Sequence, residues 1–304
     1  MPSGARADET PGRCYIRPMI ASFSQWIPWT DRAGRLSWLK LAFFIALLAP
    51  AAWMAIEWRY DLYSARPLAD AIRESGDWAL RVLVASLAVT PLRFVARWNR
   101  LILVRRAVGL AALFYTLLHI ALWCVELRFE WLDILRELVS RLFLTVGLVA
   151  TIVMAALGVT SNEWGIRRLG AKNWNRLHAW TYAATALSIL HYFMESRLDV
   201  TEAVLLAGLF ALAMAFRLAR KKWGASFWPL AIAALICGGV TALIEAFYYR
   251  VSTGVNVARV LGANLDFSYT IRPAWWVLAT GVAIALLSIF RAWTAPEPVR
   301  GRAR

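Results

Sequence analysis

Residues 105–125 read RRAVGLAALFYTLLHIALWCV. Two arginines open the run, and the next 19 positions carry no Asp, Glu, Lys or Arg. As an α-helix these 21 residues would rise about 32 Å, the thickness of a bilayer's hydrocarbon core. The most polar side chain after the arginines is His119. Polar side chains inside a membrane helix are rare, and they face the bundle or a cavity when they occur. The stretch therefore predicts a transmembrane helix whose histidine faces the bundle or a cavity.

The whole chain has the same character. Of its 304 residues 60% are apolar and only 17% charged, with 17 Trp and a mean hydropathy of +0.54. A soluble domain holds about 45–50% apolar and about 25% charged residues. The net charge is nevertheless +15. A nucleic-acid binder would need that charge on one face of a soluble core, and the apolar excess excludes this class. Cys14, Cys124 and Cys237 are odd in number and have no CxxC spacing, so they form neither a disulfide framework nor a cysteine zinc site. The first long apolar run begins near Trp38 and is too long for the core of a signal peptide.

Eight segments are long and apolar enough, or nearly so, to cross a membrane: 38–58, 78–95, 102–125, 142–159, 177–194, 200–216, 226–249 and 273–293. With charges at span ends counted in the adjoining loop, alternate loops sort by sign. The N-terminal segment, the C-terminal tail and three loops hold 23 Lys+Arg against 5 Asp+Glu; the other four loops hold 10 against 14. Arg81, inside the second span, is the one charge left over. The positive-inside rule then puts both termini in the cytoplasm. The expectation is an all-α integral membrane protein with eight transmembrane helices. Its parts are an N-terminal cytoplasmic segment 1–37, a core 38–220, two further helices in 221–294 and a tail 295–304. The loop 59–77 reads as a short amphipathic piece on the outer surface.

All three histidines fall in these spans or at their edges. His119 lies 17 residues into the third span, about 26 Å from its inner end, and His191 lies 14 residues into the fifth, about 21 Å from its inner end. Two imidazoles thus reach similar depth near the outer face, which is what bis-histidine ligation of a haem iron requires. His178 lies 13 residues before His191, roughly 20 Å lower at the cytoplasmic edge. On one ideal helix His178 and His191 would not share a face, so a bend, a bulge or a helix start near His178 is required. No histidine stands at that depth on the third helix. Arg105 and Arg106 stand there instead, in a cluster with Arg93, Arg97 and Arg100. Such cations with one imidazole suit haem propionates, a quinone head group or a flavin phosphate. Gly109, Ala111 and Ala112, just inward of His119, would let a flat macrocycle approach the helix.

At these residues the sequence resembles the MsrQ (YedZ) family, the haem-binding membrane subunits of periplasmic methionine sulfoxide reductase systems, within the ferric-reductase-like transmembrane group. The resemblance rests on GDWALRVLVASLAVTPLRFV (76–95), RRAVGLAALFYTLLH (105–119), TSNEWGIRRLGAKNWNRLHAWTY (160–182) and His191. It covers roughly residues 38–220. It implies a six-helix haem-binding core, a b-type haem, FMN as a reported family cofactor, and electrons drawn from the quinone pool of the bacterial inner membrane. It implies a partner, an MsrP-like periplasmic molybdopterin reductase that repairs oxidised proteins, so that this chain would be an electron-transfer subunit with no catalytic residues of its own. His119 and His191 match the haem-iron ligands and His178 the family's third histidine, a possible further ligand. Arg105, Arg106 and Arg176 lie in the matched stretches as candidate cofactor contacts. The common form of the family ends soon after its sixth helix, and the resemblance assigns no role to the two helices that follow here. For Glu245, near the outer end of the seventh span, the expectation is an interfacial carboxylate. The competing functions are a ferric or oxygen reductase core fed by a separate flavin reductase, and a transporter or scaffold without a redox cofactor.

Overall fold

A computed structural model describes residues 29–30, 35–196 and 199–293. The chain divides into two compact units, Met1–Ala46 and Leu47–Arg304. Most of the expected N-terminal segment 1–37, Cys14 within it, and the whole tail 295–304 lie outside the described residues. In the first unit Lys40 Nζ donates to the Thr30 carbonyl (2.8 Å), and the Trp29 ring lies 5.2 Å from that of Phe44.

Eleven α-helices occur among the described residues: α1 (Trp38–Arg59), α2 (Pro67–Val95), α3 (Arg105–Glu126), α4 (Trp131–Ser140), α5 (Leu142–Val159), α6 (Glu163–His178), α7 (Thr181–Glu195), α8 (Thr201–Trp223), α9 (Phe227–Thr253), α10 (Val257–Ala263) and α11 (Pro273–Trp293). Seven of them, α1, α2, α3, α5, α8, α9 and α11, are long and apolar enough to span a bilayer. The protein is an all-α integral membrane protein, as expected.

The fifth expected span differs from its prediction. Residues 177–194 do not form one helix. α6 ends at His178, Ala179 and Trp180 turn, and α7 covers only 15 residues. His178 and His191 are therefore on different helices, which removes the facing problem posed by a single one. The loop 59–77 also differs. Pro67 occupies the start of α2, where its missing N–H costs nothing, and the Asp70 carboxylate accepts the Ser64 N–H at 2.9 Å. With Ala71 and Ser75 buried, the helix runs on for 29 residues, and only 60–66 connects α1 to it. The loop between α3 and α5 contains α4, which buries Ile134 and exposes Leu132 and Val139, an amphipathic helix suited to a membrane surface.

α2 packs along α3, α5 along α7, and α8 against α9 and α11. One apolar cluster joins Val95, Leu212, Phe216, Leu230, Val277 and Ala285, tying the C-terminal helices to the end of α2. A polar contact fixes α3 against residues 47–51. The fully buried Tyr115 hydroxyl donates to the Leu47 carbonyl (2.7 Å) and accepts the Ala51 N–H (3.1 Å), beside Pro50, which has no N–H to give. Tyr115→Phe removes both bonds and should cost about 1–2 kcal/mol, read as a lower thermal midpoint in detergent.

Candidate functional site

α2, α3, α4, α5 and α7 surround a cavity of about 520 Å³, within the range of small-molecule and cofactor sites. His119 from α3 and His191 from α7 both line it. Their ring centres are 6.4 Å apart and their planes cross at 81°.

Both rings are held in the same way. His119 Nδ1 lies 2.7 Å from the Ile72 carbonyl of α2, and His191 Nδ1 lies 2.7 Å from the Phe143 carbonyl of α5. A carbonyl oxygen can only accept, so Nδ1 carries the proton in each ring. Neutral imidazole then keeps its lone pair on Nε2. Four residues after each carbonyl stands a glycine. A β-carbon on Gly76 would stand 3.0 Å from His119 Nδ1, and one on Gly147 would stand 2.9 Å from His191 Nδ1. The carbonyl fixes the ring's orientation, and the missing side chain lets the ring lie against the helix. α2 and α5 thus present one device twice, a carbonyl and a glycine one turn apart.

This arrangement suits a metal held between two imidazoles. A metal–nitrogen bond of about 2 Å, with roughly 1 Å more from nitrogen to ring centre, puts two rings on one ion about 6 Å apart. Carbonyl partners on the non-ligating nitrogens are the usual support of metal-binding histidines. Among the described residues no group of three His, Cys, Asp or Glu could hold a metal ion by itself. The site fits a group that brings its own equatorial ligands.

Three arginines stand on the cavity wall, Arg66, Arg73 and Arg141, all at the predicted outer end. Each is ion-paired, with Glu126 (3.6 Å), Glu195 (3.9 Å) and Glu137 (2.6 Å). They can meet carboxylates of a bound ligand. Sequence reasoning placed such cations at the inner end only. Arg81 is also answered: its Nε donates to Glu202 of α8 at 2.7 Å. One turn before it stands Asp77, which lines the cavity together with Tyr192.

His178 is not brought together with the other two histidines. Its Nε2 lies 3.2 Å from the Thr160 hydroxyl, which itself bonds the Ala156 carbonyl (2.7 Å), and its ring stacks on Trp174 at 3.8 Å. The Thr160 proton goes to the carbonyl, so His178 Nε2 donates, the opposite tautomer to the other pair. Burial and then the Arg105 guanidinium hold this imidazole, outside the seven spans, below its ordinary pKa. Arg106 and Arg176 are exposed. Gly109 has nothing within 4 Å of a β-carbon, and neither it nor Ala111 nor Ala112 lines the cavity. The small residues that admit the rings are Gly76 and Gly147. Glu245 is not interfacial. It is 1% exposed, with Arg272 Nη1 at 3.1 Å and Asn264 Nδ2 at 2.9 Å, because α10 and the following loop fold over it.

Residues 75–189 match the family of ferric-reductase-like transmembrane components. The chain is 37% identical over 189 residues to the protein-methionine-sulfoxide reductase heme-binding subunit MsrQ of Rhodospirillum rubrum, covering 62% of this chain and 88% of that one. It is 40% identical over 161 residues to the protein of the same name from Herminiimonas arsenicoxydans (52% and 73%), and 32% identical over 175 residues to that of Caulobacter vibrioides (57% and 83%). No solved structure matches it.

Proposed function

We propose, from the premise that the chain belongs to the MsrQ family, that it is a haem-binding electron-transfer subunit in which His119 and His191 would hold the haem iron. The observation that carries this reading is the pair of rings 6.4 Å apart, each with Nδ1 tied to a carbonyl and Nε2 left to bind. A b-type haem held there by His119 and His191 would supply a one-electron couple, and two protein ligands would suit it to passing electrons rather than binding a substrate. The residues hold and orient. Ile72 and Phe143 set the tautomers, Gly76 and Gly147 admit the rings, and Arg66, Arg73 and Arg141 offer charge to carboxylates at the cavity wall.

The relatives' shared name ties them to a protein-methionine-sulfoxide reductase. Electrons would come from the quinone pool of the bacterial inner membrane and pass, at the outer face, to an MsrP-like molybdopterin partner. His178 with Arg105 forms the inner candidate site, with Arg106 and Arg176 nearby, for a quinone head group or the phosphate of FMN. Both termini are cytoplasmic in this reading, with 38–220 as the redox core and 221–294 as an addition to it.

The test is the dithionite-reduced minus oxidised spectrum of the protein purified in detergent after expression with ample haem. A low-spin b-type signal that quinol also elicits is expected, with onward transfer to an MsrP-like protein. A colourless protein would overturn the reading in favour of a transporter or scaffold. Transfer to soluble ferric chelates alone would favour a ferric reductase core.

A further inference from the structure

We infer that the C-terminal helices α9–α11 brace the His191 helix, with Tyr248 as a positioning residue for the haem ligand, an assignment that rests on the reading of His191 above. α7 is short, and a turn at 179–180 precedes it, so its neighbours must set its position. At its other end the last carbonyls have no partner within the helix. The carbonyl just past that end, on Ser196, receives the Tyr248 hydroxyl of α9 at 2.6 Å. The Tyr248 ring also lies 5.6 Å from Phe193, the planes inclined at 34°. Phe193 is two residues after His191 and Ser196 is five, so both contacts fall within one and a half turns of the ligand.

Tyr248 is itself anchored. Three residues before it, the buried Glu245 carboxylate accepts from Asn264 and from Arg272, while the Trp275 indole N–H donates to the Asn264 carbonyl at 2.6 Å. A buried carboxylate is tolerated only when its bonds are filled, so these bonds define where α9, α10 and the start of α11 meet. The fixed point they create lies one turn from Tyr248. The chain thus runs from a buried ion pair through a tyrosine hydroxyl to the end of the ligand's helix.

Tyr248→Phe keeps the ring and removes only the oxygen. Two rings crossing near a right angle on one ferric iron give a strongly anisotropic low-spin electron paramagnetic resonance signal, and its largest g value follows that angle. The expected result is retained haem with a shifted largest g value and a shifted midpoint potential. In the haem-free protein the amides of 192–196 should exchange roughly fivefold faster, as loss of one hydrogen bond implies. Thr241→Ala is the control: it deletes a buried hydroxyl of α9 that bonds its own helix at Cys237, and should leave all three readouts unchanged.

Wild-type haem binding with unchanged g value, potential and exchange in Tyr248→Phe would overturn the brace and leave the proposed function standing. A wild-type protein that binds no haem would overturn that function, and the exchange measurement alone would then decide the brace. Equal shifts in Thr241→Ala would reduce the effect to general loosening and overturn the specific role of Tyr248.

Discussion

His119→Ala and His191→Ala are each expected to abolish the low-spin b-type spectrum. A bis-histidine site has no spare ligand. Among the described residues no third histidine, cysteine or carboxylate is placed with these two as a metal cluster. His178 cannot substitute without giving up its bond to Thr160 and its stack on Trp174. Removing one imidazole leaves a single axial bond and an open iron position, which changes the spin state even where some haem is kept. His178→Ala is expected to leave the low-spin signal in place. The check is the reduced-minus-oxidised spectrum with haem content per protein. A His191→Ala protein with wild-type spectrum and haem content would show that the ligand lies elsewhere.

Gly147→Ala is expected to weaken haem binding by about 10–100-fold, the range found when a metal ligand loses its outer support. The added methyl would stand 2.9 Å from His191 Nδ1, closer than real contacts allow, and 3.1 Å from Cε1, tighter than most. The ring must move, and its bond to the Phe143 carbonyl moves with it. Gly147→Val should be worse, since branched methyls crowd the same ring face. Gly76→Ala repeats the test on His119, at 3.0 Å. Gly109→Ala is the matched control, with open space where its methyl would go. Haem titration of the four proteins separates the outcomes, and equal affinity in Gly147→Ala and Gly109→Ala would remove the proposed role of the glycine.

The spans were legible because burial in lipid demands uninterrupted apolar runs, and no tertiary contact is needed to see one. The pairing of His119 with His191 was legible for a related reason: depth along a membrane helix is a linear function of residue number. What failed to show was everything set between helices. Neither Ala179 nor Trp180 is a helix breaker, so 177–180 read as part of the span that α7 begins at Thr181; only the facing of His178 and His191 asked for a break there. Gly76 and Gly147 looked like ordinary small residues, because a glycine four positions after a carbonyl says nothing until a ring arrives from another helix. Arg81 finds Glu202 across 121 residues. Glu245 is buried only because Arg272 and Asn264 return over it.

Tyr115 has a consequence for how the first span is held. Its hydroxyl touches the two backbone groups, Leu47 carbonyl and Ala51 N–H, that an α-helix would normally pair with each other. Sliding α3 by one turn past that segment would carry the oxygen about 5 Å away, end both contacts and leave the hydroxyl itself without them in an apolar setting. One phenolic oxygen therefore works as a register mark. It distinguishes a single alignment of two apolar surfaces that would otherwise pack almost as well a turn up or down, and His119, one turn further along α3, inherits its height from that alignment.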